Sequence, residues 1–385
     1  MCYQVIYSEQ TEVHMRPTHI EIDLSAIRHN LDEVRQAVGP ERKILAPVKA
    51  NAYGHGMLPV ARAALEAGAS MLGVAYLDEG IALRQAGIAA PVLIFGSELP
   101  EGAPEIVRWG LTATLCTYEL ARALSEAAMR LRRNAVVHIK VDTGMGRIGL
   151  KVEEIRSFLQ RISELPGVVV EGIYTHFATA DGTGDGEFVL AQMEHFRRVV
   201  GQLRREGLNL PVAHAANSAA VLRYPSAHLD MVRPGIMIYG LEPFPGASYL
   251  AHLRPALTLK SRIVFLKEVP PGVSVGYGRT FVAGRRTKIA TVPIGYGDGY
   301  PRALSNRGKA LVRGKRTRIV GNICMDQLML DVTHIEDARV GDEVVLIGEQ
   351  GEERITAGEL ASLAGTINYE IVTALNGRIP RVYRR

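Results

Sequence analysis

Between about residues 40 and 240 the chain repeats one polarity pattern: a short apolar run, a longer amphipathic stretch, then a glycine. The apolar runs predict strands at 44–48, 71–75, 91–95, 111–115, 136–141, 168–175, 212–215 and 231–239. Most are followed by segments of helical composition, such as "MLPVARAALEAG" and "DEGIALRQAG", each ending in the glycine expected just past a helix C-terminus. Eight such units at roughly 25-residue spacing predict a parallel α/β architecture, and eight is the number that closes a (β/α)8 TIM-type barrel. An open doubly wound sheet is the alternative that the pattern also permits.

From about Leu241 the rhythm changes. Glycine and proline punctuate short runs rich in Val, Ile and Thr, including "LTLKSRIVFLKEV", "TKIATVPIGY" and "GDEVVLIG", with little helix between them. That pattern predicts a mainly antiparallel β domain. "TAGELASLAGTINYEIVTAL" then reads as one helix, with Thr356 as N-cap and Glu359 completing a capping box. The expected organisation is an N-terminal extension over 1–14, probed by Met15 as a candidate second start, a barrel over 15–245 and a C-terminal β domain over 246–385.

Composition narrows the function classes. The 385 residues are 47% hydrophobic and 22% charged, ordinary globular values. The net charge of +5 is spread along the chain, so neither nucleic acid nor a membrane surface is an expected partner. Cys2, Cys116 and Cys324 are too few and too unevenly spaced for a disulfide framework or a zinc cluster, and no metal site is expected. With no basic and apolar leader pattern and no long apolar span, a soluble cytoplasmic protein is expected.

In a barrel, the residues that carry chemistry stand where strands end and βα loops begin. Lys49 stands there after the first predicted strand, followed by "ANAYGHG". Lys140, Asp142 and Arg147 belong to the fifth, His176 follows the sixth, His214, Asn217 and Ser218 follow the seventh, and Arg233 precedes Pro-Gly at the eighth. Each has a plain structural reading: Lys49 as a solvated loop residue, Arg147 as a helix cap, His176 as a satisfied core histidine, Ser218 as the N-cap of a helix beginning at Ala219. Their coincidence at one end of successive strands favours a shared site. Ser218 with the "RPG" turn offers a hydroxyl and backbone N–H groups at the phosphate position of barrels, and an amine at Lys49 suits an aldehyde. Pyridoxal 5'-phosphate combines those two groups. No P-loop or HExxH signature competes with it.

The ordered motifs "VKANAYGHG", "VDTGMGRIG", "THFATAD", "AANSAA", "VRPGIMIYG", "SVGYGRTF", "PIGYGDGYPR", "GNICMDQLMLDV" and "INYEIVT" resemble those of the alanine racemases, over nearly the whole chain from about Thr18 to Tyr383. The resemblance implies interconversion of L- and D-alanine, with D-alanine supplied to cell-wall peptidoglycan. It makes Lys49 the cofactor-linked base and Tyr277 the base on the opposite face, with His176 and an arginine relaying charge to that phenol. It sets Arg233 against the pyridine nitrogen, where the barrel-type decarboxylases carry a glutamate. Tyr53, Asn217, Ser218, Gly235, Ile236 and Tyr369 become cofactor contacts, the glycine and isoleucine through backbone N–H groups, and Arg147 lies near the cofactor's phenolic oxygen. Tyr296 and Met325 bound the substrate pocket together with Arg147. Lys140 matches a lysine that is carbamylated in several members; its plain alternative is a lysine paired with Asp142. A homodimer with shared active sites follows, since Tyr277 and Met325 serve the partner's site in this family. A serine-selective or broad racemase, and a pyridoxal-phosphate carrier lacking the β domain, are the competing readings.

Overall fold

The computed structural model describes residues 16–385 apart from 183, 185, 208 and 209, so the expected extension over 1–14 lies outside the described residues. The described residues divide into two compact units: Asp23–Ala256 with Tyr383–Arg385, and Leu257–Val382 with residues 16–22.

The strands follow as β1 (His19–Asp23), β2 (Lys43–Pro47), β3 (Met71–Val74), β4 (Val92–Ile94), β5 (Thr112–Leu115), β6 (Ala135–Lys140), β7 (Val168–Tyr174), β8 (Val212–His214) and β9 (Met231–Val232). β2 to β9 run parallel and close on themselves, with Lys43 beside Met231 and Ile44 beside Val232. That last pairing gives the barrel and rules out the open sheet. These strands are short and apolar because a barrel buries both faces; β3, β4, β5 and β8 are buried at every residue. Leu45, Met71, Leu93, Val212 and Met231 fill the interior. Among the connecting helices, Tyr118–Leu131 shows one apolar stripe, burying Leu120, Ala121, Leu124, Ala127 and Ala128.

The eighth strand is shorter than the expected 231–239. Only Met231 and Val232 pair, because Pro234 has no N–H to give a ladder, and Ile236–Tyr239 then coils into a 3-10 turn. The reading of Ser218 as the cap of a helix beginning at Ala219 also shifts by one residue. The helix is Ser218–Arg223, and Asn217 caps it by accepting the N–H of Ala220 at 3.0 Å.

The second unit is an antiparallel sheet built on Leu257–Arg262, which pairs with Glu343–Gln350 on one side and with β1 on the other. The expected division at 245/246 therefore needs correction at the front of the chain: His19–Ile22 belongs to the C-terminal unit. Its sequence says why. "HIEID" alternates, burying Ile20 and Ile22 and leaving His19, Glu21 and Asp23 partly exposed, the pattern of a one-sided antiparallel sheet. The expected single helix after Thr356 is two, Ala357–Ala364 and Asn368–Ala374, divided where Gly365 takes a left-handed φ of 73°. Thr356 Oγ1 does accept the N–H of Glu359 at 3.0 Å, as the capping motif predicts.

Asp23 ends β1 and caps the first helix, Leu24–Val38, its carboxylate accepting from Ser25 and Ala26 at 2.8 and 3.1 Å. Asp23→Ala should lower stability by about 1 kcal/mol, read as a lower urea midpoint with an unchanged denaturant slope.

Candidate active site

At the C-terminal mouth of the barrel, β2 runs into Lys49 and then into a turn of the wrong hand. Ala50, Asn51, Ala52 and Tyr53 all have φ between 51° and 53°. L-residues disfavour this region by about 1–2 kcal/mol each, so the turn persists only where its surroundings hold it. The holders are identifiable. Glu79, in the first turn of the helix after β3, accepts the N–H of Ala50 at 2.6 Å through one oxygen and that of Ala75 at 2.7 Å through the other. Asn51 Oδ1 accepts the N–H of Met57 at 2.9 Å, starting the next helix. Tyr53 packs on Tyr239 at 4.9 Å between ring centroids, and the Tyr239 hydroxyl donates to Pro47 at 2.8 Å. The turn thus throws Lys49 and Tyr53 into the barrel mouth only four residues apart. Burial, then the charge of Arg147, lower the Lys49 amine, with Glu79 opposing them. Lowering matters because only a neutral amine can attack an aldehyde or accept a proton.

Tyr53, Ser218 and Gly235 converge. A methyl group at Gly235 would lie 2.8 Å from the Tyr53 hydroxyl and 3.9 Å from Ser218 Oγ, and Ser218 Oγ in turn accepts the N–H of Met237 at 3.3 Å. Burial pushes the Tyr53 phenol up to about 12, so it stays a donor. Gly235 precedes the 3-10 turn Ile236–Tyr239, whose leading N–H groups have no acceptor within the turn. A cradle of two hydroxyls and backbone donors, kept open by a missing Cβ, fits the phosphate of pyridoxal 5'-phosphate, and Lys49 fits its aldehyde.

Arg233, two residues before Gly235, is buried, 4% exposed. Its Nη2 lies 2.7 Å from the carbonyl of Thr175, 2.9 Å from that of Ala215 and 3.3 Å from Nδ1 of His176; its Nη1 donates to Nδ1 of His214 at 2.8 Å. A guanidinium only donates, so Nδ1 of His176 accepts and Nε2 carries that ring's proton. Burial and the charges of Arg233 and Arg147 hold His176 well below its usual range, which keeps it neutral. His176 is only partly exposed, and with Nδ1 accepting from Arg233 its Nε2–H remains as a donor.

Lys140 is 2% exposed, and burial, then Arg233, lower its amine to about 8. Its Nζ donates to the carbonyl of Val141 at 2.7 Å, while Asp142 is engaged with the N–H groups of Gly144 and Gly146. The plain alternative, a lysine paired with Asp142, is seen here as attraction through space and not as a hydrogen bond. Arg147 is exposed at the same mouth.

In the other unit, Tyr277 opens the 3-10 turn Tyr277–Arg279 and is 72% exposed. Asn322 Nδ2 donates to the Tyr277 carbonyl at 2.8 Å, the Cys324 carbonyl accepts the N–H of Tyr296 at 3.0 Å, and the Met325 carbonyl accepts that of Gly297 at 2.8 Å. One loop, residues 322–325, thus ties Tyr277, Tyr296 and Met325 together, with Tyr296 and Met325 also exposed. Tyr369 lies in the helix Asn368–Ala374. Glu79 and Thr175 were not singled out from sequence; a carboxylate in a helix's first turn and a strand carbonyl carry no motif of their own.

Comparison with known proteins finds one family along nearly the whole chain. The model of the alanine racemase N-terminal domain matches residues 22–243, and that of the C-terminal domain residues 256–383. The chain is 49% identical to the alanine racemase of Carboxydothermus hydrogenoformans over 96% of this chain and 100% of the relative. It is 47% identical to that of Halothermothrix orenii over 96% and 97%. A crystal structure of alanine racemase from Bacillus anthracis with bound L-Ala-P superposes with a TM-score of 0.91 at 38% identity, covering 96% of both chains.

Glu79→Ala leaves the Ala50 and Ala75 N–H groups without their acceptor and should cost about 1–3 kcal/mol of stability. Glu79→Gln, which retains one carbonyl acceptor, should cost less; equal urea midpoints for wild type and Glu79→Ala would contradict the holding role.

Proposed function

The chain belongs to the alanine racemase family and interconverts L- and D-alanine, and on that premise we propose that it does so with pyridoxal 5'-phosphate, using Lys49 and Tyr277 as bases on opposite faces. The observation that carries the cofactor assignment is the cradle of Tyr53, Ser218 and Gly235, with the lowered amine of Lys49 four residues before Tyr53. When bound, the cofactor supplies an aldehyde that takes up amines and a conjugated ring that withdraws electrons from a carbon deprotonated beside it. Racemisation needs a proton removed on one side of Cα and returned on the other, so two bases are required.

Lys49 is suited to one face because burial and Arg147 favour its neutral form. Tyr277 suits the other if its phenol meets a donor that stabilises phenolate, and neutral His176, with Nδ1 engaged by Arg233 and its proton on Nε2, is such a donor. Arg233 faces the ring nitrogen with a group that donates and never loses its proton there, which limits electron withdrawal by the ring. Tyr53, Ser218 and the N–H groups of Gly235 and Ile236 hold the phosphate, with Asn217 beside Ser218. Arg147 lies by the phenolic oxygen, and Tyr296 and Met325 take the substrate's carboxylate.

The exposed cluster of Tyr277, Tyr296 and Met325 serves the site of a second copy, giving a homodimer with two composite sites. No helix among the described residues is long and apolar enough to cross a membrane. We place the enzyme in the cytoplasm, where its D-alanine would feed peptidoglycan. Lys140, buried and with an amine near 8, is matched to uptake of one carbon dioxide with release of one proton, giving an anionic carbamate that orients Arg147.

Tyr277→Phe should lower kcat by about 10²–10⁴ in both directions with cofactor retained. Mixing Lys49→Ala with Tyr277→Phe chains should restore activity through hybrid dimers, and no restoration would overturn the shared site. Gly235→Ala should weaken cofactor binding, measured by equilibrium dialysis, because its methyl meets the Tyr53 hydroxyl. Labelled with ¹³C-bicarbonate, the protein should show a carbamate carbon that Lys140→Met abolishes.

A further inference from the structure

Beyond the cofactor pocket, the hydrogen bonds of Arg233 continue through the barrel to its opposite end. His214 accepts from Arg233 Nη1 through Nδ1, so its proton sits on Nε2, 2.9 Å from Nδ1 of His138. His138 Nδ1 is then an acceptor and its Nε2 a donor, 3.1 Å from Oε2 of Glu171. His138 and His214 are buried, at 1% and 0% exposure, while the Glu171 side chain is 40% exposed. The His214 ring is clamped by Tyr174, stacked at 4.7 Å and 7°, and Tyr174 is fixed by a 2.7 Å hydrogen bond with Thr114.

Glu171 and His138 line a small cavity of about 60 Å³ with Lys43, Ser70 and Met231. Lys43 and Met231 are the first residues of β2 and β9, so this cavity lies at the N-terminal end of the barrel. Arg233 directly follows the C-terminal end of β9. The bonded path therefore crosses the barrel from one mouth to the other. Its direction is set at both ends: a guanidinium can only donate and a carboxylate can only accept, so the hydrogen bonds through the two imidazoles between them have one consistent arrangement of protons.

We propose that Glu171 is a positioning residue for racemisation, fixing the tautomers of His138 and His214 so that an imidazole acceptor, and not an N–H, always faces Arg233. The proposal rests on the reading of Arg233 as the donor to the cofactor's ring nitrogen. The guanidinium's other acceptors are two carbonyls and His176, all neutral, and the Glu171 carboxylate is the anion at the end of its bonded path. If the tautomers flipped, His214 would present Nδ1–H to Arg233 Nη1–H, two donors in contact, and the guanidinium would rotate away. Loss of an outer partner that fixes a histidine's orientation commonly costs about tenfold to a hundredfold in function.

The test compares Glu171→Leu with Glu171→Gln, whose carbonyl can still accept from His138; Glu171 is partly exposed, so Glu171→Gln should melt like wild type and Glu171→Leu somewhat lower, for the buried His138 N–H it leaves without an acceptor, and both are assayed below their melting temperatures. ¹⁵N chemical shifts of His138 and His214 in the cofactor-free protein report the tautomers directly. Glu171→Leu should alter those shifts, lower kcat by about tenfold to a hundredfold with KM for alanine unchanged, and shift the visible absorbance of the loaded enzyme. Glu171→Gln should restore most of each. Wild-type shifts, or altered shifts with wild-type kcat, would each overturn the proposal. Arg233→Lys separates the two readings: unchanged absorbance of its loaded form would sink the ring-nitrogen assignment, while the tautomer result in the cofactor-free protein stands independently.

Discussion

A cation that cannot shed its proton, sealed inside a closed sheet, sets the terms for the barrel's polar interior. Arg233 loses its hydration when the barrel closes, and an unsatisfied buried guanidinium would cost more than most single interactions in the fold can return. The chain answers with acceptors from the ends of β7 and β8: the carbonyls of Thr175 and Ala215 and the imidazoles of His176 and His214. Those acceptors decide which ring nitrogens carry protons. They also hold both histidines neutral, so the one permanent charge organises its neighbours without adding a second.

The turn after Lys49 shows the same economy at the backbone level. A right-handed helix beginning at Lys49 would place Tyr53 one turn above the lysine, on nearly the same face. Four left-handed residues reverse that path, and the Glu79 carboxylate and the Tyr239 platform keep it reversed. Strain of this kind is found where a site needs a geometry that ordinary secondary structure does not offer. The glycines of "YGHG" serve the same segment: Gly54 ends the turn at φ 83°, and Gly56 leaves room for the Tyr383 ring, whose hydroxyl would lie 1.9 Å from an added Cβ.

The barrel was legible in the sequence because its strands are apolar on both faces and its helices end in glycine, so eight units could be counted before any pairing was known. The strand ends were legible for the same reason, and Lys49, His176, Ser218 and Arg233 fall at one mouth as their positions suggested. What stayed hidden was everything whose meaning depends on a partner far along the chain. β1 alternates clearly, but nothing local says that it pairs with Leu257–Arg262. His138 reads as one polar residue in an apolar strand until β7 and β8 bring Glu171 and His214 to either side of it. Gly365, which divides the last helical stretch, looked like any small residue between two compatible halves.

The pairing of β1 with Leu257–Arg262 has a consequence for how the chain comes to be folded. The two strands are adjacent in the sheet, yet the whole barrel is made between them. On a ribosome, which delivers the N-terminus first, β1 emerges long before its partner exists, and Ile20 and Ile22 wait uncovered until Leu257 and Leu259 arrive. Such a long-range closure raises contact order and makes this sheet the late event in folding, after a barrel that can pair strand by strand as it is made. A cut between the two sequence halves would separate β1 from the only sheet it completes, so the genetic boundary and the folding boundary of this protein are different places.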